Sequence, residues 1–166
     1  MAVAAEVSSA DSFAISIAPL SLAKVYELAE TPANGALVVM SGTVRDNTEG
    51  RAVAYLDYQA YEPMARVVFQ QIAQRMRERW TDINRVVIHH RIGRLRVGEI
   101  SVLVAVGCPH RVEAFTACQY AIDTLKHNAP IWKKEFFLGP DGTESGEWTQ
   151  GCRVSDLGGS AAGTYS

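Results

Sequence analysis

In two places the sequence sets one strand-like run directly after another with only a turn between them, and this restricts the fold more than any single residue does. Ala36 to Arg45 reads as a buried strand, Asp46-Asn47-Thr48-Glu49-Gly50 as a polar turn, and Ala52 to Tyr61 as a second strand with period-two alternation. The pair reads as a hairpin. Arg85 to Ile92 and Glu99 to Val106 form another pair, joined by the turn from Gly93 to Gly98. Strict alternation of strand and helix would indicate a doubly wound sheet. Strands adjacent in sequence indicate instead the α+β class, with mostly antiparallel sheets and helices packed on them.

Three helices complete the reading. After a short strand over Phe13 to Ala18, Ser21 can cap a helix carrying Leu22, Val25, Tyr26 and Leu28. Pro63 suits the first turn of a helix reaching Arg79, with Met64, Val67, Val68, Ile72 and Met76 on its inner face. From about Arg111 to His127, Val112, Phe115, Cys118, Ile122 and Leu125 recur at steps of three and four, which predicts a core stripe. Pro130 stops that helix, because proline disfavours helical geometry in the residue before it. Ile131 to Phe137 then alternates as a strand, with Ile131, Lys133 and Glu135 on one face and Trp132, Lys134 and Phe136 on the other.

A chain of 166 residues with 48% hydrophobic content can bury a single core without disulfides or metal. One domain is expected over residues 12–154, between a small polar start at 1–11, read as disordered, and a glycine-rich, flexible tail at 155–166. A formal net charge of -2 argues against a general nucleic-acid binder, so any anion site must be local. The three cysteines, Cys108, Cys118 and Cys152, have neither a disulfide framework nor zinc spacing, and indicate a reducing, cytoplasmic compartment. No run approaches the roughly 18 apolar residues of a membrane span, and the first dozen residues lack a signal-peptide pattern.

The cations between Cys108 and Glu135 are the candidates for chemistry. Lys126, beside Ile122 and Leu125 near a helix end, reads either as a partly desolvated nucleophile or proton carrier, or as a cation favouring the negative end of the helix dipole. Lys133 and Lys134 point to opposite faces, so at most one shares a pocket with Lys126; both also suit a solvated edge. His110 and Arg111 stand where a strand gives way to a helix, where free N–H groups and a guanidinium favour a phosphate, although simple helix-start polarity explains them equally well. Arg111 and Lys126 are 15 residues apart, hence roughly 22 Å along one straight helix. They cannot grip one small ligand within one chain; a shared site requires a second copy. Arg45, closing Gly42-Thr43-Val44-Arg45, can reach over a pocket mouth or lie on the surface. His89 and His90 face opposite sides of their strand, with no carboxylate or cysteine at ligand spacing, so no metal site is expected. Cys118, on the core stripe, reads as a packing residue, and Cys108, just before a helix start, as either a packing residue or a thiol of lowered pKa.

Taken together, these segments resemble the MoaE family, the large, catalytic subunits of molybdopterin synthase. The resemblance runs from about Phe13 to Gly151. It rests on Gly42-Thr43-Val44-Arg45 and the turn ending at Gly50, on His89-His90-Arg91-Ile92-Gly93-Arg94-Leu95 with Gly98-Glu99, and on Pro109-His110-Arg111 with Ala114-Phe115. It continues through Asp123-Thr124-Leu125-Lys126 and Pro130-Ile131-Trp132-Lys133-Lys134-Glu135. The resemblance implies an α/β hammerhead-type fold and a central homodimer within a heterotetramer, with a small ubiquitin-like sulfur carrier at each end. The carrier's C-terminal Gly-Gly, as a thiocarboxylate, would deliver sulfur to cyclic pyranopterin monophosphate, two transfers building the molybdopterin dithiolene. No cofactor is implied, since sulfur arrives on the carrier. Carried over by motif, Lys126 and Lys133 are catalytic. Thr43, Val44, Arg45, His110, Arg111, Lys134 and Glu135 fall at substrate-contacting positions, with His110 and Arg111 supplied by the other subunit. The competing reading is a non-catalytic module that binds a phosphorylated metabolite or only docks the carrier.

Overall fold

The computed structural model describes residues 10–149. The expected disorder over 1–9, Cys152 and the glycine-rich tail lie outside the described residues. The elements run β1 (Ser12–Ser16), α1 (Leu22–Ala29), β2 (Ala36–Thr43), β3 (Asn47–Thr48), β4 (Arg51–Ala60), α2 (Glu62–Arg79), β5 (Arg85–Arg91), β6 (Gly93–Arg96), β7 (Ile100–Cys108), α3 (Arg111–Asn128), β8 (Ile131–Leu138) and β9 (Glu144–Thr149).

One sheet has the order β1-β5-β7-β2, and only its β1–β5 pair is parallel among the described strands. Its inner strands are nearly continuous Val, Ile, Leu and Ala, because both faces are covered. Val86, Ile88, Val104 and Val106 meet α2 and α3, whereas Val87, Leu103 and Ala105 meet Val25 and Ala29 of α1. Ser21 caps α1 as its position predicts, its Oγ accepting from the Lys24 backbone N–H at 3.2 Å. The second sheet is built around β4, which pairs antiparallel with β8 from Val53 to Ala60 and with β6 from Tyr55 to Tyr58; β9 extends it beyond β8. Its smaller core is Val44, Val53, Leu56, Leu95 and Phe137. These mixed, mostly antiparallel sheets with three helices are the α+β class that the element order indicates.

Strand pairing departs from the first expected hairpin. β2 does not pair with β4; it pairs with β7, from Ala36 opposite Cys108 to Thr43 opposite Ile100. The reason lies in the two strands' faces. Ala36, Val38 and Met40 pack on one side of β2 and Leu37 and Val39 on the other, so β2 needs a sheet covered twice, while β4 alternates and suits a one-sided sheet. The tight turn belongs to β3 and β4: Glu49 (φ 53) and Gly50 (φ 81) occupy the left-handed region between paired Thr48 and Arg51, as a two-residue primed hairpin requires. The Gly93–Gly98 segment likewise is more than a turn. It contains β6, which leaves β5, runs along β4 and returns to β7, tying the two sheets together.

Helix faces are rotated from expectation. On α2 the buried residues are Ala65, Phe69, Ile72, Ala73 and Met76, while Met64 and Val67 are exposed. On α3 Val112 and Phe115 are each 63% exposed, and the core stripe is Ala114, Ala117, Cys118, Ala121, Ile122 and Leu125. Alanines occupy the contact because they let helices approach closely, the interaxial distance being set by the side chains between them. Asp11, assigned by sequence to the disordered start, is instead anchored. Its carboxylate accepts two hydrogen bonds from Arg77 at 2.6 and 2.8 Å and one from the Val86 N–H at 2.9 Å.

Candidate active site

A cleft of about 970 Å³ opens between the two sheets, with the last turns of α3 along one side. It is lined by the ends of β2, β5 and β7, by β4, and by Ile131, Lys133 and Glu135 of β8. Pro130 makes this possible: α3 ends at Asn128, the Ala129 N–H closes onto the Leu125 carbonyl at 2.9 Å, and the chain enters β8 directly. Lys126 in the last helical turn and Lys133 near the strand start therefore reach one cleft from two different elements.

Period-two alternation sorts the rest of β8. Lys133 Nζ lies 3.1 Å from Glu135 Oε1 on the cleft side. Glu135 is only 2% exposed, and its Oε2 is buried with no hydrogen-bond partner among the described residues. Lys134 faces the other way, over the Phe136 and Trp148 rings at 5.2 and 5.7 Å, so this chain does not bring it to the cleft. The same alternation divides the segment after β2. Thr43 and Arg45 line the cleft, whereas Val44 belongs to the small core, its N–H donating to the Glu99 carbonyl and its own carbonyl accepting from the Gly98 N–H. Lys126, in the last turn of α3, stands exposed at the edge of the cleft.

His110 and Arg111 are not brought to the cleft. They are exposed at the start of α3, an uninterrupted helix of 18 residues, with Lys126 in its last turn. His110 occupies the N-cap position but makes no side-chain capping hydrogen bond, so the helix start keeps unsatisfied N–H donors.

Sequence reasoning passed over His90 as a cleft residue. It sits on the same face of β5 as Val86 and Ile88, one pleat beyond the apolar core, and period two alone places it there. It is 4% exposed, its Nδ1 is 2.8 Å from the Arg91 carbonyl, and the Tyr58 ring stands edge-on at 5.2 Å. Burial pushes its pKa down to about 4, so the imidazole is neutral. His89 faces the opposite side, with Nε2 2.9 Å from Ser12 Oγ. Among the described residues no group of three His, Cys, Asp or Glu side chains is placed to hold a metal. Burial raises both Cys108 and Cys118 to about 11, which makes them neutral packing thiols.

Arg45, Lys126 and Lys133 thus surround the cleft with a single carboxylate, Glu135, tethering one of them. Fold and cleft together define an α+β protein with a cation-lined cleft between its two sheets. Comparison with known proteins gives the particular family. The model for the MoaE protein family matches residues 15–128, and the chain belongs to that family. It is 70% identical over 125 residues to a molybdopterin synthase catalytic subunit from Nostoc sp., covering 75% of this chain and 76% of that protein. With the catalytic subunit from Halalkalibacterium halodurans it shares 43% over 123 residues, covering 74% of this chain and 78% of that one. The crystal structure of molybdopterin synthase from Staphylococcus aureus superposes with a TM-score of 0.76 at 38% identity, over 82% of this chain and 95% of that chain. A complex of subunits 1 and 2 of molybdopterin-converting factor from Helicobacter pylori shares the fold, at 24% identity and a TM-score of 0.61 over 76% of this chain and 84% of that one.

Proposed function

We propose that this chain is the catalytic subunit of a molybdopterin synthase, a sulfurtransferase of molybdenum cofactor biosynthesis. The observation that carries the reading is the convergence of Lys126 and Lys133, from separate elements, on one cleft beside Arg45. Sulfur arrives as the C-terminal thiocarboxylate of a small ubiquitin-like carrier whose Gly-Gly end threads into the cleft. Each transfer forms a C–S bond in place of a C–O bond on the side chain of cyclic pyranopterin monophosphate, and water hydrolyses the carrier's acyl C–S bond, so that the carrier leaves as a carboxylate. Two such transfers build the dithiolene.

The residues divide the work by their chemistry. Lys126, exposed at the rim, meets the carrier's acyl end and stabilises or transiently captures it. Lys133, tethered by Glu135, serves as proton donor or oxyanion partner. Arg45 balances the substrate phosphate, and His110 and Arg111 of a second copy complete that anion site. Their place at the far end of α3 from Lys126 supports the last assignment, in which the homodimer is part of the active site. Thr43 contacts substrate from the end of β2, and Val44 holds Thr43 and Arg45 in register; Lys134, turned toward Trp148, contributes only through a bound partner. Carriers docked on the homodimer give a heterotetramer, and a subunit complex is the form of the like-folded Helicobacter pylori factor. The reaction needs no resident cofactor, and a cytoplasmic setting supplies both carrier and substrate. Among the described residues no helix is long and apolar enough to cross a membrane.

The test mixes the purified chain, a thiocarboxylated carrier and cyclic pyranopterin monophosphate and follows dithiolene product by mass spectrometry. Wild type should form product and Lys126→Ala should not. A folded dimer that binds carrier yet forms none would favour a binding or docking role.

A further inference from the structure

The cleft holds one buried titratable side chain to which the mechanism above gives no role. Resting on that reading, we propose that His90 is a further substrate-contacting residue, its Nε2 accepting a hydrogen bond from an O–H or N–H group of the bound pterin. Three observations carry this. The Arg91 carbonyl, 2.8 Å from Nδ1, can only accept a hydrogen bond, so the proton of the neutral ring resides on Nδ1 and Nε2 keeps its lone pair. Nε2 has no hydrogen-bond partner among the described residues, yet it is not among the side-chain atoms sealed away without one, which are Glu113 Oε2 and Glu135 Oε2. His90 lines the cleft while only 4% of it is exposed, so the access left to Nε2 is through the cleft.

The ring is also prevented from turning away. Tyr58 packs edge-on against it, at 5.2 Å between centroids and 68° between planes, and the Nδ1 contact fixes the other side. An acceptor with a fixed tautomer and a fixed direction is a selective contact, because a ligand lacking the matching donor leaves a polar atom desolvated and unpaired. The open acceptor of the cleft, His90 Nε2, asks for a hydrogen-bond donor, and the cations around it ask for anionic groups. A ligand that carries a phosphate and also N–H and O–H donors satisfies both demands, and cyclic pyranopterin monophosphate carries both. The low pKa near 4 supports the assignment, since it keeps Nε2 an acceptor throughout the neutral range.

Two substitutions separate contact from packing. His90→Asn retains a donor for the Arg91 carbonyl and deletes Nε2; His90→Gln places a polar atom near the Nε2 position. In the complex with carrier, His90→Asn should lower kcat/KM for the pterin by about tenfold, the worth of one good hydrogen bond. The KM for carrier should not change, and His90→Gln should recover most of the loss. Wild-type kcat/KM in His90→Asn would overturn the proposal, as would a loss in both variants that follows their melting temperatures. Calorimetric binding of the pterin, compared between wild type and His90→Asn, reads the contact without turnover. If wild type binds the pterin but forms no product, the synthase reading fails while His90 is still decided by that comparison.

Discussion

Lys133 and Glu135, two residues apart on β8, form an ion pair of 3.1 Å at the floor of the cleft while Lys134 between them faces the opposite side. The pair is asymmetric. Lys133 keeps 30% of its side chain exposed, whereas the carboxylate is buried with one oxygen unpartnered. Such a carboxylate fixes the direction of the ammonium at the cost of its own desolvation.

Glu135→Gln should therefore release Lys133 with little loss of fold. Turnover should fall by at least about tenfold through lost positioning, while stability changes by only about 1 kcal/mol because a buried, half-satisfied charge has been removed. Single-turnover rates and denaturant melts of the same preparation check both numbers. Unchanged turnover would show that the pair is structural.

The buried imidazole of His90 gives a pH dependence whose sign is fixed. Its folded pKa, about 4, lies below the ordinary value of 6.5, so between these the unfolded chain binds more protons. Stability is fully present above about pH 6.5 and is lost as pH falls toward 4, by about 3 kcal/mol for this group. Melts from pH 7 to pH 4 should show that slope in wild type and a flatter one in His90→Asn.

Much of this arrangement was legible in the sequence because it is local. Pro130 ended α3, alternation set the faces of Ile131 to Phe137, and helical rise placed Arg111 far from Lys126. What stayed hidden was decided by partners distant in sequence. The choice of β7 rather than β4 as the neighbour of β2 depends on which layers cover each face. The true stripes of α2 and α3 run through alanines, which carry little hydrophobic signal but set how closely the helices approach. β9 was missed because Glu144-Ser145-Gly146-Glu147-Trp148-Thr149 is a polar edge strand with no apolar alternation.

The two described cysteines should be chemically quiet. With burial raising Cys108 and Cys118 to about 11, neither supplies thiolate near neutral pH. A thiol reagent at pH 7 should leave both unmodified in the folded protein, and a Cys108→Ser, Cys118→Ser, Cys152→Ser variant that still folds should keep turnover. Loss of activity in a folded triple variant would place a sulfur relay on this chain.

Val112 and Phe115, each 63% exposed beside Arg111, form the apolar face that a second copy should cover. Phe115→Glu should yield a folded monomer by sedimentation and should lose turnover together with the dimer. A dimeric Phe115→Glu protein would move the contact elsewhere.

The central claim is that one site draws Lys126 from one copy and Arg111 from another, and mixing two inactive variants tests it most directly. Lys126→Ala and Arg111→Ala chains, unfolded together and refolded, give mixed dimers in which one of the two sites regains both residues. Turnover should return to about a quarter of wild type after random pairing. If instead both residues must come from the same chain, every mixed dimer is inactive at both sites, and no recovery would contradict the account.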